Sequence, residues 1–234
     1  MSLSGSRVEA YRNARARVLD RIAVACSRVD RDPGDVTLVA VSKTVPADAL
    51  RDAIAAGLDL FGENRVQEGL AKSPDVPGAR WQLVGPLQSN KARRALEVFE
   101  SIQTVDSVDL ARRLDRLAAE VRPGHRYPIL LQVNVDQDPA KAGFGPVDLD
   151  DVLGELLDLP NLAVNGLMTV GRLTADPIES RQTFRELRTR SERSRARWPA
   201  LGPALSMGMS DDFDLAVEEG ATIVRVGRAL FGER

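Results

Sequence analysis

Lysine is scarce in this sequence, and the position of one lysine suggests chemistry. The 234 residues include 32 basic ones, of which only four are lysines, at positions 43, 72, 91 and 141. Lys43 follows shortly after the apolar run Thr37–Val41. We expect a lysine at a strand end to be partly desolvated, which favours the neutral, nucleophilic amine that forms a Schiff base with a carbonyl group. The structural alternative is a rim lysine whose ammonium group stays in water.

Two loops near the C-terminal end carry residue types that bind phosphate. One loop is Ser206–Ser210, after a short apolar run, and the other is Arg225–Arg228, at the end of a second run. Glycine lets the backbone approach an anion, serine hydroxyls donate hydrogen bonds, and arginine supplies positive charge. The structural alternatives are a helix N-cap for Ser210 and an ion-pair partner for Arg225.

A Schiff-base lysine that faces a phosphate-binding loop fits two chemistries. A class I aldolase would use the lysine to attack the carbonyl group of a sugar phosphate. A pyridoxal 5′-phosphate (PLP) protein would use it to hold the aldehyde of the cofactor, whose own phosphate would lie against the loops. Both chemistries need the lysine and the loops at the same end of the fold.

The elements that would bring these residues together alternate between short apolar runs and helical stretches. An extra amphipathic helix is predicted first, over about residues 6–30. Eight apolar runs follow, separated by helical patterns such as Pro177–Trp198. This order predicts parallel βαβ units, and eight of them fit a single (β/α)8 TIM-barrel domain over residues 1–234. The runs are Thr37–Val41, Leu58–Phe61, Trp81–Val84, Ile102–Val105, Ile129–Val133, Val164–Met168, Ala204–Leu205 and Thr222–Val226.

A doubly wound open sheet is the alternative α/β fold. It is disfavoured because no Gly-x-Gly-x-x-Gly fingerprint follows the first apolar run. In a barrel, functional groups lie at the carboxyl ends of the strands. Those junctions include Lys43, Asn64 and Arg225, so the barrel would gather them at one face.

Composition and charge exclude several classes of function. The net charge of −2 and the pI near 5.6 give no electrostatic reason to expect binding to nucleic acid or an anionic membrane. The arginines between Arg181 and Arg197 alternate with glutamates and apolar residues, as in a solvated amphipathic helix. No apolar run is long enough to span a membrane, and the N-terminus lacks an apolar signal core, so a cytoplasmic protein is expected. One cysteine and one histidine argue against a metal cluster.

Five motifs are distributed over essentially the whole chain: VAVSKT (39–44), FGENRVQE (61–68), GPLQSNK (85–91), LSMGMSDD (205–212) and VRVGRALFGER (224–234). In this order they resemble the pyridoxal phosphate homeostasis protein family (YggS/PROSC). The resemblance implies the PLP-binding barrel of alanine racemase (fold type III), standing alone. It also implies that Lys43 forms the Schiff base, that Asn64 lies beside the cofactor, and that Arg225 faces the pyridine nitrogen.

The resemblance also assigns a phosphate site, with two departures from the family. Ser206, Ser210 and the backbone of Gly227 and Arg228 are implied to hold the phosphate. Arg228 stands where the family usually has threonine or serine, which removes a hydroxyl and adds a charge. Pro86 stands where histidine is usual, so any role of that side chain is in doubt.

The family resemblance favours a carrier over an enzyme. Alanine racemase pairs its lysine with a tyrosine from a second domain, and this sequence ends soon after the eighth run. Tyr11 and Tyr127 are not placed to act as that second base. We therefore expect a PLP-holding homeostasis protein, a monomer or weak homodimer, that delivers PLP to PLP-dependent apoenzymes. The alternatives are a PLP-dependent racemase or lyase of low activity and, third, a class I aldolase.

Overall fold

Eight parallel strands close into a barrel in the computed structural model, which describes residues 3–171 and 176–232. Each strand pairs with the next along the chain, and β8 pairs with β1 to close the sheet. The (β/α)8 TIM barrel predicted from the alternating runs is therefore confirmed. The strands are β1 Thr37–Val41, β2 Leu60–Glu63, β3 Arg80–Leu83, β4 Ser101–Val105, β5 Tyr127–Gln132, β6 Leu162–Met168, β7 Ala204–Ser206 and β8 Ile223–Val226.

Helices surround the barrel, and an additional one precedes it. Helix α1 was expected to reach residue 30 but ends at Ser27, because Asp30 adopts the left-handed conformation (φ 53°) and the Val29 and Arg31 amides donate to the Cys26 carbonyl. The helices are α1 Leu3–Ser27, α2 Ala47–Ala55, α3 Val66–Lys72, α4 Ala92–Val98, α5 Val108–Val121, α6 Pro146–Leu157, α7 Pro177–Arg197, α8 Phe213–Glu218 and α9 Arg228–Phe231.

Helix α1 packs where the first and last units of the barrel meet. It contacts α2, α8 and α9. Arg21 pairs with Asp214 of α8 at 2.7 Å, and the Tyr11 ring meets the Phe231 ring of α9 edge-on at 5.5 Å. The extra helix thus joins the two ends of the barrel at the β1–β8 seam.

The arginine-rich helix α7 is amphipathic, as predicted. Phe184 and Leu187 are fully buried on its inner face. Arg181 and Arg185 each reach the buried Glu219 at 3.0 Å. Part of the positive charge of this helix is therefore neutralised within the fold.

The interior of the barrel is partly polar. Val39 on β1 is in register with Arg225 on β8, and Met168 on β6 is in register with Ser206 on β7. All four are buried, and Gln103 on β4 is buried with them. Apolar side chains fill the layer between strands and helices, while the barrel centre holds a group of hydrogen-bonding residues.

The described residues include neither a membrane-spanning helix nor a metal-binding group of side chains. Among them, no helix is long and apolar enough to cross a membrane. Within the same ranges, no group of three or more His, Cys, Asp or Glu side chains is arranged to hold a metal ion.

Candidate functional site

The carboxyl ends of the strands surround a cavity of about 680 Å³. This volume lies within the usual range for small-molecule pockets, roughly 300–1,000 Å³. Its wall comes from the ends of β1, β2, β3, β6, β7 and β8. Six of the seven predicted site residues lie on this wall, namely Lys43, Asn64, Ser210, Arg225, Gly227 and Arg228.

Lys43 lies in the turn after β1, on the cavity wall. Its side chain is exposed, which differs from the expected partial desolvation. Pro86, Met209 and Arg228 on the same wall are also exposed, so this end of the cavity is open to water. The amine is therefore accessible to a carbonyl compound that enters from solution.

Two backbone amides donate to one serine hydroxyl at this end of the cavity, and we call this arrangement the amide turn. The Ser210 Oγ accepts hydrogen bonds from the backbone N–H groups of Gly227, at 3.3 Å, and Ala229, at 3.4 Å. These amides lie at the start of α9, where backbone N–H groups have no partner within the helix. An oxygen atom already lies between them, and such a position also suits an oxygen of a phosphate group.

Charged side chains flank this amide turn. The exposed Arg228 guanidinium pairs with the Asp211 carboxylate, so its charge lies at the rim. Asp212 accepts a hydrogen bond from the Met209 N–H at 2.7 Å. Burial raises the pKa of Asp212, although that hydrogen bond and the Arg225 charge act in the opposite direction.

Arg225 is a nearly buried cation on the cavity wall, with 5% of its surface exposed. Its Nη1 donates to the Ser206 Oγ at 2.6 Å, and its Nη2 donates to the Thr169 carbonyl at 2.8 Å. Burial lowers the pKa of Arg225 to about 10, while the charge of Asp212 opposes the shift. The guanidinium still carries its proton at neutral pH.

A chain of hydrogen bonds runs from Arg225 across the barrel interior. The Ser206 hydroxyl donates to the Gln103 Oε1 at 2.6 Å, and the Gln103 Nε2 donates to the Gln82 Oε1 at 2.6 Å. The Gln82 Nε2 then donates to the Glu100 Oε1 at 3.0 Å. Every donor points from the cation toward the Glu100 carboxylate, so each bond polarises the next. The chain partly compensates the buried charge.

Ser206 has a different position from the one expected. It is fully buried and its hydroxyl is used twice, as acceptor from Arg225 and as donor to Gln103. It belongs to β7 itself and is not on the cavity wall. In this structure its hydroxyl contacts Arg225 and Gln103, and its contact with a phosphate stays a prediction.

Several polar residues that support the site had no role assigned from the sequence. Gln82 and Gln103 interrupt apolar runs, which was a usable signal for polar groups inside a barrel. Lys72 is one of only four lysines and ends α3, close to the turn that carries Lys43. Lys141, another of the four, donates to the Gly171 carbonyl at 3.1 Å and so connects two rim loops.

Comparison with known proteins identifies the class of fold. Residues 17–234 match the family model described as alanine racemase, N-terminal domain. An alanine racemase from Corynebacterium glutamicum is 18% identical with a TM-score of 0.73, and the match covers 97% of this chain and 62% of that one. The fold and its cavity thus define an alanine racemase-type barrel.

Relatives of similar length identify the family within this class of fold. The pyridoxal phosphate homeostasis protein of Escherichia coli is 38% identical over 225 residues, and that of Pseudomonas aeruginosa is 43% identical over 224, each covering 94% of both chains. The structure of PipY from Synechococcus elongatus with PLP bound is 45% identical, with a TM-score of 0.80, and covers 92% of this chain and all of that one. The chain belongs to the pyridoxal phosphate homeostasis protein family.

The lowered pKa of Arg225 predicts a gain in stability at alkaline pH. Folding lowers the pKa of Arg225 to about 10, so above this pH the unfolded chain binds more protons than the folded protein and stability rises with pH. Relative to Arg225→Met, the free energy of unfolding of the wild type should rise by roughly 1 kcal/mol between about pH 9 and pH 11. Urea unfolding across this range measures the difference.

A control variant separates this effect from general alkaline changes. Arg112 is exposed and pairs with Glu155 on the outer surface. Arg112→Met should show no comparable change relative to the wild type over the same pH range. A flat or falling difference for Arg225→Met would contradict the assignment of a buried, destabilised cation.

Proposed function

We propose that this protein binds PLP, holds it as a Schiff base on Lys43, and serves PLP homeostasis in the cell. One observation carries the proposal: a single cavity wall combines the accessible Lys43 amine, the amide turn at Ser210 and the Arg225 cation. The names of the relatives and the PLP bound to PipY support the same cofactor.

The residues present fit the three functional groups of PLP. Lys43 offers an amine to the aldehyde, and the Ser210 hydroxyl, whose oxygen accepts from the Gly227 and Ala229 amides, offers its own proton to the phosphate. Arg225 offers a donor to the pyridine nitrogen; two of the five N–H groups of its side chain are used by Ser206 and Thr169. When bound, PLP supplies an aldehyde that captures amines and a ring that withdraws electrons.

The chemistry of Arg225 favours storage over turnover. Because its pKa of about 10 keeps the guanidinium protonated at neutral pH, it donates a hydrogen bond but does not give up a proton to the ring nitrogen. An unprotonated ring is a weak electron sink. The site therefore favours holding the aldehyde over breaking bonds at the α-carbon of an amino acid.

The two tyrosines of the sequence lie away from the cavity. The buried Tyr127 hydroxyl donates to the Phe99 carbonyl at 2.7 Å, and burial raises its pKa. Tyr11 contacts Phe231 on the outer helices. Neither is available as a second proton-transfer group opposite Lys43, which further supports a carrier.

The proposed recipients of PLP are enzymes that use it as a cofactor. We propose that PLP passes from Lys43 to PLP-dependent apoenzymes in the cytoplasm, and that residues 1–234 act as one domain in this transfer. The exposure of the Lys43 side chain supports this step, because an amine from solution can reach the Schiff base there. Slow racemase or lyase activity and aldolase activity are outcomes that the experiments below would reveal.

Replacement of Lys43 should abolish covalent capture of PLP. We expect the wild type to turn yellow with PLP and to yield, after borohydride reduction, a pyridoxyl adduct on the peptide that contains Lys43. Lys43→Ala should yield neither, because no other amine is aimed at the aldehyde in the same way. Absorbance spectra and peptide mass spectrometry measure this result.

Lys91→Ala is the matched control for this experiment. Lys91 precedes α4 and does not lie on the cavity wall. Its replacement should leave the yellow colour and the adduct unchanged. An adduct on a different lysine in the wild type would exclude Lys43 as the attachment residue, and a colourless wild type would exclude PLP binding.

Removal of the Ser210 hydroxyl should weaken PLP binding selectively. A hydrogen bond to a charged group contributes roughly 1.5–3 kcal/mol, so Ser210→Ala should raise the dissociation constant for PLP about tenfold or more. Pyridoxal lacks the phosphate, and its binding should not change. Spectroscopic titrations with both ligands measure the two constants.

Ser107→Ala provides the control for loss of a serine that accepts a backbone amide. The Ser107 Oγ accepts from the Leu110 N–H at 3.3 Å at the start of α5, and Ser107 does not lie on the cavity wall. This variant should bind both ligands like the wild type. Equal loss of PLP and pyridoxal in Ser210→Ala would show that Ser210 does not contact the phosphate.

Delivery and catalysis are separated by two measurements on the PLP-loaded wild type. Exchange of the Cα hydrogen of a panel of amino acids in D₂O should be no faster than with free PLP, because an arginine at the ring nitrogen leaves the cofactor a weak electron sink. Addition of the loaded protein to a PLP-dependent apoenzyme should restore its activity. Rapid exchange with one amino acid would indicate an enzyme, and failure to restore activity would exclude delivery.

A further inference from the structure

Three charged residues form a cluster next to the turn that carries Lys43. Glu63 ends β2, and Glu68 and Lys72 lie on α3. The Lys72 Nζ lies 2.7 Å from the Glu63 Oε1 and 3.1 Å from the Glu68 Oε2. We call these three residues the acid–lysine cluster. None of the three residues lies on the cavity wall.

The cluster bonds to both chain neighbours of Lys43. The Ser42 hydroxyl donates to the Glu63 Oε1 at 2.8 Å, and Lys72 donates to the Ser42 carbonyl at 2.9 Å. On the other side, the Thr44 N–H donates to the Glu68 Oε2 at 2.9 Å. The residues before and after Lys43 are therefore attached to the same group of charges.

Thr44 needs such an attachment because its backbone is strained. Its φ of 65° lies in the left-handed region, which is a genuine outlier for a β-branched residue. Strained residues persist only where the surrounding structure holds them, and they concentrate at functional sites. The hydrogen bond from Thr44 to Glu68 restrains this conformation from outside the turn, and the bond from the Val45 N–H to the Ser42 carbonyl at 2.9 Å closes the turn itself.

The side chains of the acid–lysine cluster are largely buried. Glu63 is fully buried, and the Lys72 side chain is only 12% exposed. The second carboxylate oxygen of Glu63 has no hydrogen-bond partner among the described residues, and burial raises the pKa of this group. Burial alone would raise the pKa of Glu68 too, but the Thr44 N–H and Lys72 hold it below its ordinary value. The Ser42–Glu63 bond is buried and the bonds of Lys72 are partly buried, whereas the Thr44–Glu68 bond is exposed to water.

We infer that Glu63, Glu68 and Lys72 are positioning residues that hold the Ser42–Thr44 turn and thereby aim the Lys43 amine into the cavity. This inference rests on the proposed function of Lys43. The side chain of Lys43 is long and exposed, so its direction depends on how firmly its backbone is held. The cluster supplies that support from β2 and α3, outside the cavity.

Removal of the Glu68 carboxylate tests this inference. Glu68→Ala leaves Thr44 without its acceptor, and we expect the dissociation constant for PLP to rise about tenfold, which corresponds to roughly 1.4 kcal/mol. Formation of the reducible adduct on Lys43 should slow in parallel. In the cofactor-free protein, hydrogen exchange of the Thr44 amide should accelerate. Glu68→Gln retains a carbonyl acceptor and should restore most of each property.

Asp115→Ala is the matched control. The Asp115 carboxylate is also buried and accepts a backbone amide, that of Asn161, at 2.8 Å. It lies on α5 and holds the loop before β6, at the opposite end of the barrel from the cavity. We expect this variant to lose stability but to bind PLP and to protect the Thr44 amide like the wild type.

The possible outcomes separate the two proposals. A wild type that forms no adduct on Lys43 would overturn the proposed function and the positioning role with it. If the wild type forms the adduct and Glu68→Ala behaves like Asp115→Ala in binding, adduct formation and Thr44 exchange, the positioning role alone is overturned. Loss in Glu68→Ala with recovery in Glu68→Gln supports it.

Discussion

A positively charged guanidinium lies in the centre of this barrel, and the arrangement of the cavity depends on how its charge is accommodated. An unpaired buried charge is strongly destabilising. Arg225 is stabilised by short bonds to neutral acceptors, by a polarised chain through Ser206 and Gln103 to Glu100, and by the nearby Asp212. Barrel interiors are usually filled by branched apolar residues. Here the need to solvate one cation explains why polar side chains replace them.

The site consists of two halves that are stabilised separately and joined by closure of the barrel. Arg225 on β8 is held from within the barrel, whereas the turn after β1 is held by Glu63 and Lys72 behind the sheet. The register of Val39 with Arg225 brings the two halves side by side. Helix α1 packs across the same seam. An exposed amine, an amide turn and a protonated arginine therefore meet on one wall of the cavity.

Some of the positions predicted from the sequence agree with the structure, and others differ from it. All eight apolar runs became strands, because periodicity and run length report burial directly. Six of the seven predicted site residues line the cavity, because parallel strands bring all their carboxyl ends to one face. Ser206 does not, because β7 extends one residue beyond the apolar run and turns this hydroxyl inward. Lys43 lies on the cavity wall but is exposed, so the expected partial desolvation is not seen.

The sequence by itself determined the order of strands and helices, the family, and which loops meet at the working face. Strands, helices and family motifs follow from local sequence patterns, and the loops that meet at one face follow from the order of the elements along the chain. Only the tertiary structure decided which polar residues bond to one another. The chain from Arg225 to Glu100 joins β8, β7, β4 and β3, and the cluster of Glu63 and Lys72 reaches across from β2 and α3 to the turn after β1. Such contacts depend on strand register and side-chain direction in the closed barrel, which no single segment specifies.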